Sequence, residues 1–297
     1  MKGASGTRGS PAFVATPAMP AAANWRAAAD SLSGALFWLI PAIVVVFLLL
    51  PILVAVFLSF DDRDYLGAFP PTAFSLRWYR SFFDNPAYLQ GLVTSIELAL
   101  LSTAVSLVAG TAAAIALAGT RWRGRHGLEA LFLSPRLVPT VVIGFSILGF
   151  ASALHIFDAF TRLVMGHVII TIPFTIRAAL ASLVGIRRNL VEAATSLGAS
   201  PWQAFLDVTL PLAKTGIIAG GLLAFVLSFD EVAVSLFLAD AFNQTLPIVL
   251  VAEMRTNLNL TVAAIATAFT ALTVVIVVFL DRTVGLDNVI GKGLYGR

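Results

Sequence analysis

Apolar stretches long enough to cross a lipid bilayer recur along this chain, and nothing else in it constrains the fold as strongly. They cover residues 35–59, 91–118, 134–153, 163–185, 215–239 and 260–281. Each approaches or exceeds the ~20 residues that an α-helix needs to cross the hydrocarbon core. Backbone N–H and C=O groups in lipid must be satisfied within the segment, so all six stretches are expected to be helices. Of the 297 residues, 59% are hydrophobic and 12% are charged. A soluble domain carries about 25% charge and could not cover this much apolar surface. The chain contains no cysteine, which excludes a disulfide framework, thiolate chemistry and cysteine metal sites.

Residues 1–33 are rich in Ala, Pro, Gly and Ser and lack apolar periodicity, and they are expected to form a flexible tail. The apolar run that follows is too long for the h-region of a secretory signal and is read as a retained first span. Residues 34–285 then form a transmembrane domain, and 286–297 a second short tail. With the N-terminus inside, cytoplasmic segments hold twelve Lys and Arg residues: Lys2, Arg8, Arg26, Arg121, Arg123, Arg125, Arg187, Arg188, Lys214, Arg282, Lys292 and Arg297. Outer segments hold five, Arg63, Arg77, Arg80, Arg162 and Arg255, while Arg136 and Arg177 lie within or beside spans. The positive-inside rule therefore places both termini in the cytoplasm. The net charge of +3 reflects this topology, and no nucleic-acid partner is expected.

The outer loop 60–90 carries Asp61, Asp62 and Asp64 with the aromatics Trp78, Tyr79, Phe82 and Phe83. It reads either as an interfacial aromatic belt or as a docking surface for an extracytoplasmic partner. Residues 241–259, with Leu246-Pro247 and Glu253, are too polar to span and are expected to form a short re-entrant or surface helix.

Between the fourth and fifth spans lies the polar segment 186–214. Val191 to Leu197 favours helix, and Gly198 is a natural stop. Ser200-Pro201 reads as an N-cap followed by proline at the first helical position, opening a second short helix through Phe205. Leu210-Pro211 is expected to break the chain before the fifth span. The result is a helix–turn–helix presenting Leu197, Trp202 and Phe205, rimmed by Arg187, Arg188 and Glu192. On residue types alone it is either an ordinary amphipathic surface pair or a knob that fits a groove on another protein.

Glu192, Ala193, Ala194, Gly198, Val208, Leu210 and Pro211 stand at the spacings of the coupling loop of ABC importer permeases, which this segment resembles, with Val208 in place of the usual Ile. The resemblance covers roughly residues 75–285. It is nearest the second permease of polyamine importers, at Ser228-Phe229-Asp230-Glu231-Val232 and Thr245-Leu246-Pro247. It implies an all-α integral membrane protein with six transmembrane helices, the type I ABC importer permease fold, and a cytoplasmic coupling helix that includes Pro201. It also implies a multi-pass location in the bacterial inner membrane, two ATPase subunits, a second permease of different sequence, and an extracytoplasmic substrate-binding protein. The polyamine-like group often has paired Asp where this chain has Asp230-Glu231. Relatives handling opines, amino-acid derivatives or phosphonates have similar permeases, so a cationic polyamine and these solutes remain alternative cargoes.

Glu97, Asp230 and Glu231 fall within the expected spans, where a charge is costly unless it faces water or a partner. They read either as a translocation path, together with Ser228 and Phe229, or as structural charges paired with groups such as Arg177. Adjacent positions on a helix point about 100° apart, so Asp230 and Glu231 would not both line one narrow pore. Gly216, Gly220 and Gly221 are expected to pack helices within the chain, with a permease–permease contact as the alternative. His155 and His167 fall near the outer surface, without partners at ligand spacing. No metal site is expected.

An embedded enzyme finds no support, since HExxH and Gly-x-Ser-x-Gly are absent. Residues Gly285 to Gly291-Lys292-Gly293 miss a phosphate-binding loop by one intervening residue and by a Gly where Ser or Thr should bind magnesium. ATP and magnesium are therefore expected in the partner ATPase, and this chain is expected to hold no cofactor. An ion-driven secondary transporter is the rival of another class, and it leaves the 186–214 pattern without a role.

Overall fold

The computed structural model describes residues 22–65, 67–119, 124–256 and 260–284. Residues 1–21 of the expected tail, the basic residues Arg121 and Arg123, the near-miss at Gly285–Gly293 and the tail 286–297 lie outside them. In chain order the helices are α1 (Ala22–Ser59), α2 (Arg77–Asp84), α3 (Pro86–Gly119), α4 (Arg125–Leu133), α5 (Thr140–Ala153) and α6 (Ala159–Val184). They continue with α7 (Arg188–Ser196), α8 (Pro201–Ala204), α9 (Leu210–Phe229), α10 (Ser235–Leu238), α11 (Leu246–Thr256) and α12 (Thr261–Val284). A 3₁₀ turn, Ser134–Leu137, follows α4, and a π-helical turn, Phe205–Thr209, joins α8 to α9. Among the described residues the only β pairing is an isolated bridge between Asp61 and Phe74.

The chain divides into two compact units, Met1–Val54 and Ala55–Arg297. In the first, α1 begins at Ala22, so helix reaches into the segment read from sequence as tail. Its side chains from Phe37 to Leu50 are exposed, as a helix that meets lipid requires.

In the second unit the core is the contact of α3, α6 and α9. Ala114 and Leu117 of α3 bury against Ile176, Ala179, Leu180 and Leu183 of α6 and Ala213 of α9. Small residues permit this approach. A Cβ at Gly216 would strike Ser182 Oγ and lie 2.6 Å from Ala178 O, and one at Gly220 would lie 3.1 Å from Thr175 Cα. Both glycines face α6, and Gly221 faces Leu107 of α3, so the packing expected within the chain is present. Hydroxyls lock the same surfaces: Ser106 and Thr171 lie 2.6 Å apart, and Thr175 Oγ1 donates to Ser106 O at 2.8 Å. Interhelical hydrogen bonds in bilayers average about 0.6 kcal/mol, so these bonds define register more than they add stability.

Two expected spans differ from single helices. Residues 125–153 form a pair bent by 102°, because Pro135 and Pro139 interrupt the ladder around Ser134–Leu137. The fifth stretch ends at Phe229, ten residues short of its expected limit. Among the described residues four helices are long and apolar enough to span, five if the bent pair counts as one, where six were expected. In α12 the apolar stretch is Thr261–Val275.

The 60–90 segment is more internal than its composition suggests. Trp78 is buried with Leu260 and Ala264, and its Nε1 donates to Asp61 O at 2.7 Å. Phe82 stacks on Tyr88, and Phe83 remains exposed. Asp61 accepts from Arg63 Nε at 2.8 Å, and the Arg63 guanidinium holds its carboxyl below the usual carboxylate value. Asp64 pairs with Arg77. Of the four rings singled out from sequence, Trp78, Tyr79 and Phe82 therefore serve internal packing and only Phe83 is exposed, while Tyr65, Phe69 and Phe74 of the same segment are exposed as well. Residues 246–256 do form the short helix expected there, with Leu246, Pro247 and Ile248 buried and Leu246 N–H donating to Ser95 Oγ at 2.8 Å.

Candidate functional site

Two places concentrate the residues singled out from sequence. The first is the helix pair of 186–214. Helix α7 ends in a Schellman motif: Gly198 N–H donates to Thr195 O at 3.0 Å and Ala199 N–H to Ala194 O at 3.1 Å. Gly198 has φ +96°, a conformation that favours a residue without Cβ. Ser200 then caps α8 in a reciprocal box, with Gln203 N–H donating to Ser200 Oγ at 3.3 Å and Ser200 N–H to Gln203 Oε1 at 2.8 Å. Pro201 occupies the first helical turn, as the sequence suggested.

The surface of this pair is apolar at its tip. Leu197 is 89% exposed and Trp202 65% exposed. Phe205 is only half-buried rather than exposed, because Trp202 stacks on it at 5.5 Å. Ala193 is exposed and Ala194 half-buried. Glu192 pairs with Arg188 at 3.1 Å, an exposed i,i+4 contact of about 0.3–0.5 kcal/mol. Such a pair orients a surface and contributes little stability.

The expected break at Leu210-Pro211 does not occur. Helix runs from Pro201 through Phe229 because the chain adopts a π turn, in which Leu210 N–H reaches Phe205 O. That wider turn accommodates Pro211, whose ring would otherwise clash with the carbonyl of Asp207 four residues earlier. Val208 and Leu210 are half-buried at this junction. The knob is therefore joined rigidly to a spanning helix.

The second place is the interruption between α9 and α10. Asp230 caps the end of α9, and residues 230–234 are not helical. The placement of Asp230 and Glu231 as helical neighbours about 100° apart is thereby corrected. Glu231 Oε1 instead accepts from Val234 N–H at 3.0 Å. Asp230 is exposed, and no hydrogen bond or ion pair engages its carboxylate among the described residues. Ser228 and Phe229 turn inward: Ser228 bonds to His167, and Phe229 stacks on Phe269 at 4.3 Å and on Phe225 at 5.6 Å.

Glu97 lies on an exposed face of α3 and Arg177 on an exposed face of α6, and neither enters an ion pair among the described residues. Arg136, in the bend, lies 4.7 Å over the ring of Phe174.

His167 was missed by sequence reasoning. Far from lying at the surface, it is wholly buried, with Nδ1 at 2.8 Å from Ser228 Oγ and Nε2 at 2.9 Å from Ser235 Oγ. The two serines lie 61 and 68 residues further along the chain, beyond any local spacing rule. His155 does lie exposed, and at φ 58° it takes the left-handed position that closes α5.

Residues 106–285 match the family described as binding-protein-dependent transport system inner membrane component. The spermidine/putrescine transport system permease protein PotC of Haemophilus influenzae is 29% identical over 205 residues, 69% of this chain and 80% of the relative. The putrescine transport system permease protein PotI of Escherichia coli is 29% identical over 200 residues, 65% of this chain and 71% of the relative. Among solved structures, a bacterial ABC transporter involved in the import of the acidic polysaccharide alginate superposes with TM-score 0.63 at 17% identity, over 84% of this chain and 95% of that one. The MetNI methionine ABC transporter in an inward-facing conformation superposes with TM-score 0.57 at 19% identity, over 66% of this chain and 94% of that one.

Proposed function

The chain belongs to the binding-protein-dependent transport system inner membrane components, and on that premise we propose that a separate ATPase drives it through the loop 186–214. It is a multi-pass inner-membrane permease of an ABC importer. The observation that carries the coupling reading is the knob of Leu197 and Trp202, set by the Gly198 turn and continuous in helix with α9. A push on that knob reaches the core surface that α9 shares with α3 and α6. Glu192, Ala193, Ala194, Gly198, Pro201, Val208, Leu210 and Pro211 shape and anchor it.

In this reading ATP and magnesium are bound by two ATPase subunits that grip this loop and its counterpart on a second, different permease. A substrate-binding protein delivers cargo on the opposite side. The charge distribution supports cytoplasmic termini and a cytoplasmic knob.

The cargo is a cationic polyamine. Two facts favour it: the relatives named for spermidine and putrescine, and the exposed, unengaged Asp230 carboxylate at a helix interruption. Glu231 supports that interruption, Ser228 and Phe229 anchor it, and Glu97 adds a second exposed acid on α3.

The test is ATP turnover by the permease pair reconstituted with its ATPase and binding protein. Stimulation by spermidine or putrescine, lost in Trp202→Ala without loss of assembly, is the expected result. Equal stimulation in Trp202→Ala overturns the role of the knob.

A further inference from the structure

The interruption after α9 carries no glycine or proline; Glu231 Oε1 braces it from within by accepting from Val234 N–H, and a second constraint comes from outside the segment. His167 of α6 supplies it. Its ring bridges Ser228, two residues before Asp230, and Ser235, the first residue of α10. Ser235 Oγ in turn donates to Glu231 O at 3.0 Å. With that proton committed, Ser235 Oγ can only accept from His167, so Nε2 carries the imidazole proton. Nδ1 is then the acceptor for the Ser228 hydroxyl, and a neutral ring satisfies every group in the chain of bonds. Packing closes the same joint: a Cβ on Gly166 would lie 2.6 Å from both Val234 Cγ1 and Leu238 Cδ1.

We propose that His167 is a positioning residue that clamps both ends of the 230–234 interruption and thereby sets where the Asp230 carboxylate stands. Its role in transport rests on the reading of Asp230 as a pathway residue; the clamp itself does not. A histidine suits the task because its two ring nitrogens face opposite ways and can hold two serines at once. Ser228, Ser235 and the backbone carbonyl of Glu231 are the groups through which it acts.

The native chain has no cysteine, so Asp230→Cys gives this chain a single thiol, and its modification is read on this chain after separation from the other subunits. The rate at which a cationic methanethiosulfonate modifies that thiol in the assembled importer reads the geometry of the interruption directly. Adding His167→Ala, or Ser228→Ala with Ser235→Ala, is expected to change that rate about fivefold or more, as losing two net hydrogen bonds implies. A thiol at Phe242, which is 85% exposed and outside the His167 contacts, is expected to keep its rate. Unchanged reactivity at 230 in both backgrounds overturns the clamp, as does an equal change at 242, which would mean general loosening. If His167→Ala fails to accumulate in the membrane, the serine pair decides alone. Putrescine uptake by Asp230→Asn separates the two ideas: unchanged uptake retires the pathway reading, while the thiol rates still judge the clamp.

Discussion

The carboxylate of Glu231 accepts a 3.0 Å hydrogen bond from the backbone N–H of Val234, which gives it a structural task within its own turn. Its neighbour Asp230 stands exposed with no such bond. The two acids should therefore respond differently to neutralisation. Asp230→Asn is expected to lower putrescine uptake about fivefold, the loss of one exposed charge contact of about 1 kcal/mol at 4 Å in water. Glu231→Gln keeps an acceptor oxygen and is expected to change uptake less than about threefold. Initial-rate uptake at matched expression distinguishes them, and equal losses would contradict the division.

The turn at Gly198 makes a sharper demand. At φ +96°, with no atom within 4 Å of where a Cβ would stand, a side chain there meets backbone strain and no steric obstacle. Gly198→Ala is expected to cost the turn about 1–2 kcal/mol and Gly198→Asn less. Transport per ATP hydrolysed should fall in that order, Ala below Asn below Gly, with membrane insertion unchanged.

Helix packing can be tested apart from function. Gly216→Val drives a branched side chain into Ser182 and the Ala178 carbonyl, an overpacking cost of about 1–3 kcal/mol. Gly149→Ala on α5 meets nothing within 4 Å. Thermal unfolding in detergent should show a lower midpoint for the first and little change for the second.

Asp61 offers a pH signature. Its hydrogen bond from Arg63 lowers its folded value below the ordinary 3.8. A lowered carboxyl contributes stability that is fully present above pH 3.8 and is lost as pH falls through the folded value. The stability difference between the native chain and Asp61→Asn should therefore be constant near neutrality and shrink below pH 3.8.

The elements legible in the sequence are those written in local chemistry. Spanning helices follow from hydrophobic length, the α7–α8 turn from Gly198, and the α8 cap from Ser200-Pro201. What escaped the sequence was decided at long range or by backbone adjustment. Pro211 looks like a break, yet a π turn absorbs it. Asp230 looks helical, yet the chain opens there beside a histidine more than sixty residues upstream. Trp78 and Phe82 look like surface aromatics, yet Leu260, Ala264 and Tyr88 cover them.

Import of a polyamine at the expense of ATP bound elsewhere can be measured as uptake into proteoliposomes. The chain would be reconstituted with its partner permease, ATPase and binding protein, and labelled putrescine followed with and without ATP on the ATPase side. Accumulation is expected only when ATP and the ATPase are both present. Equal uptake after the ATPase is omitted would refute the ATP-driven reading and return the chain to the ion-driven transporters.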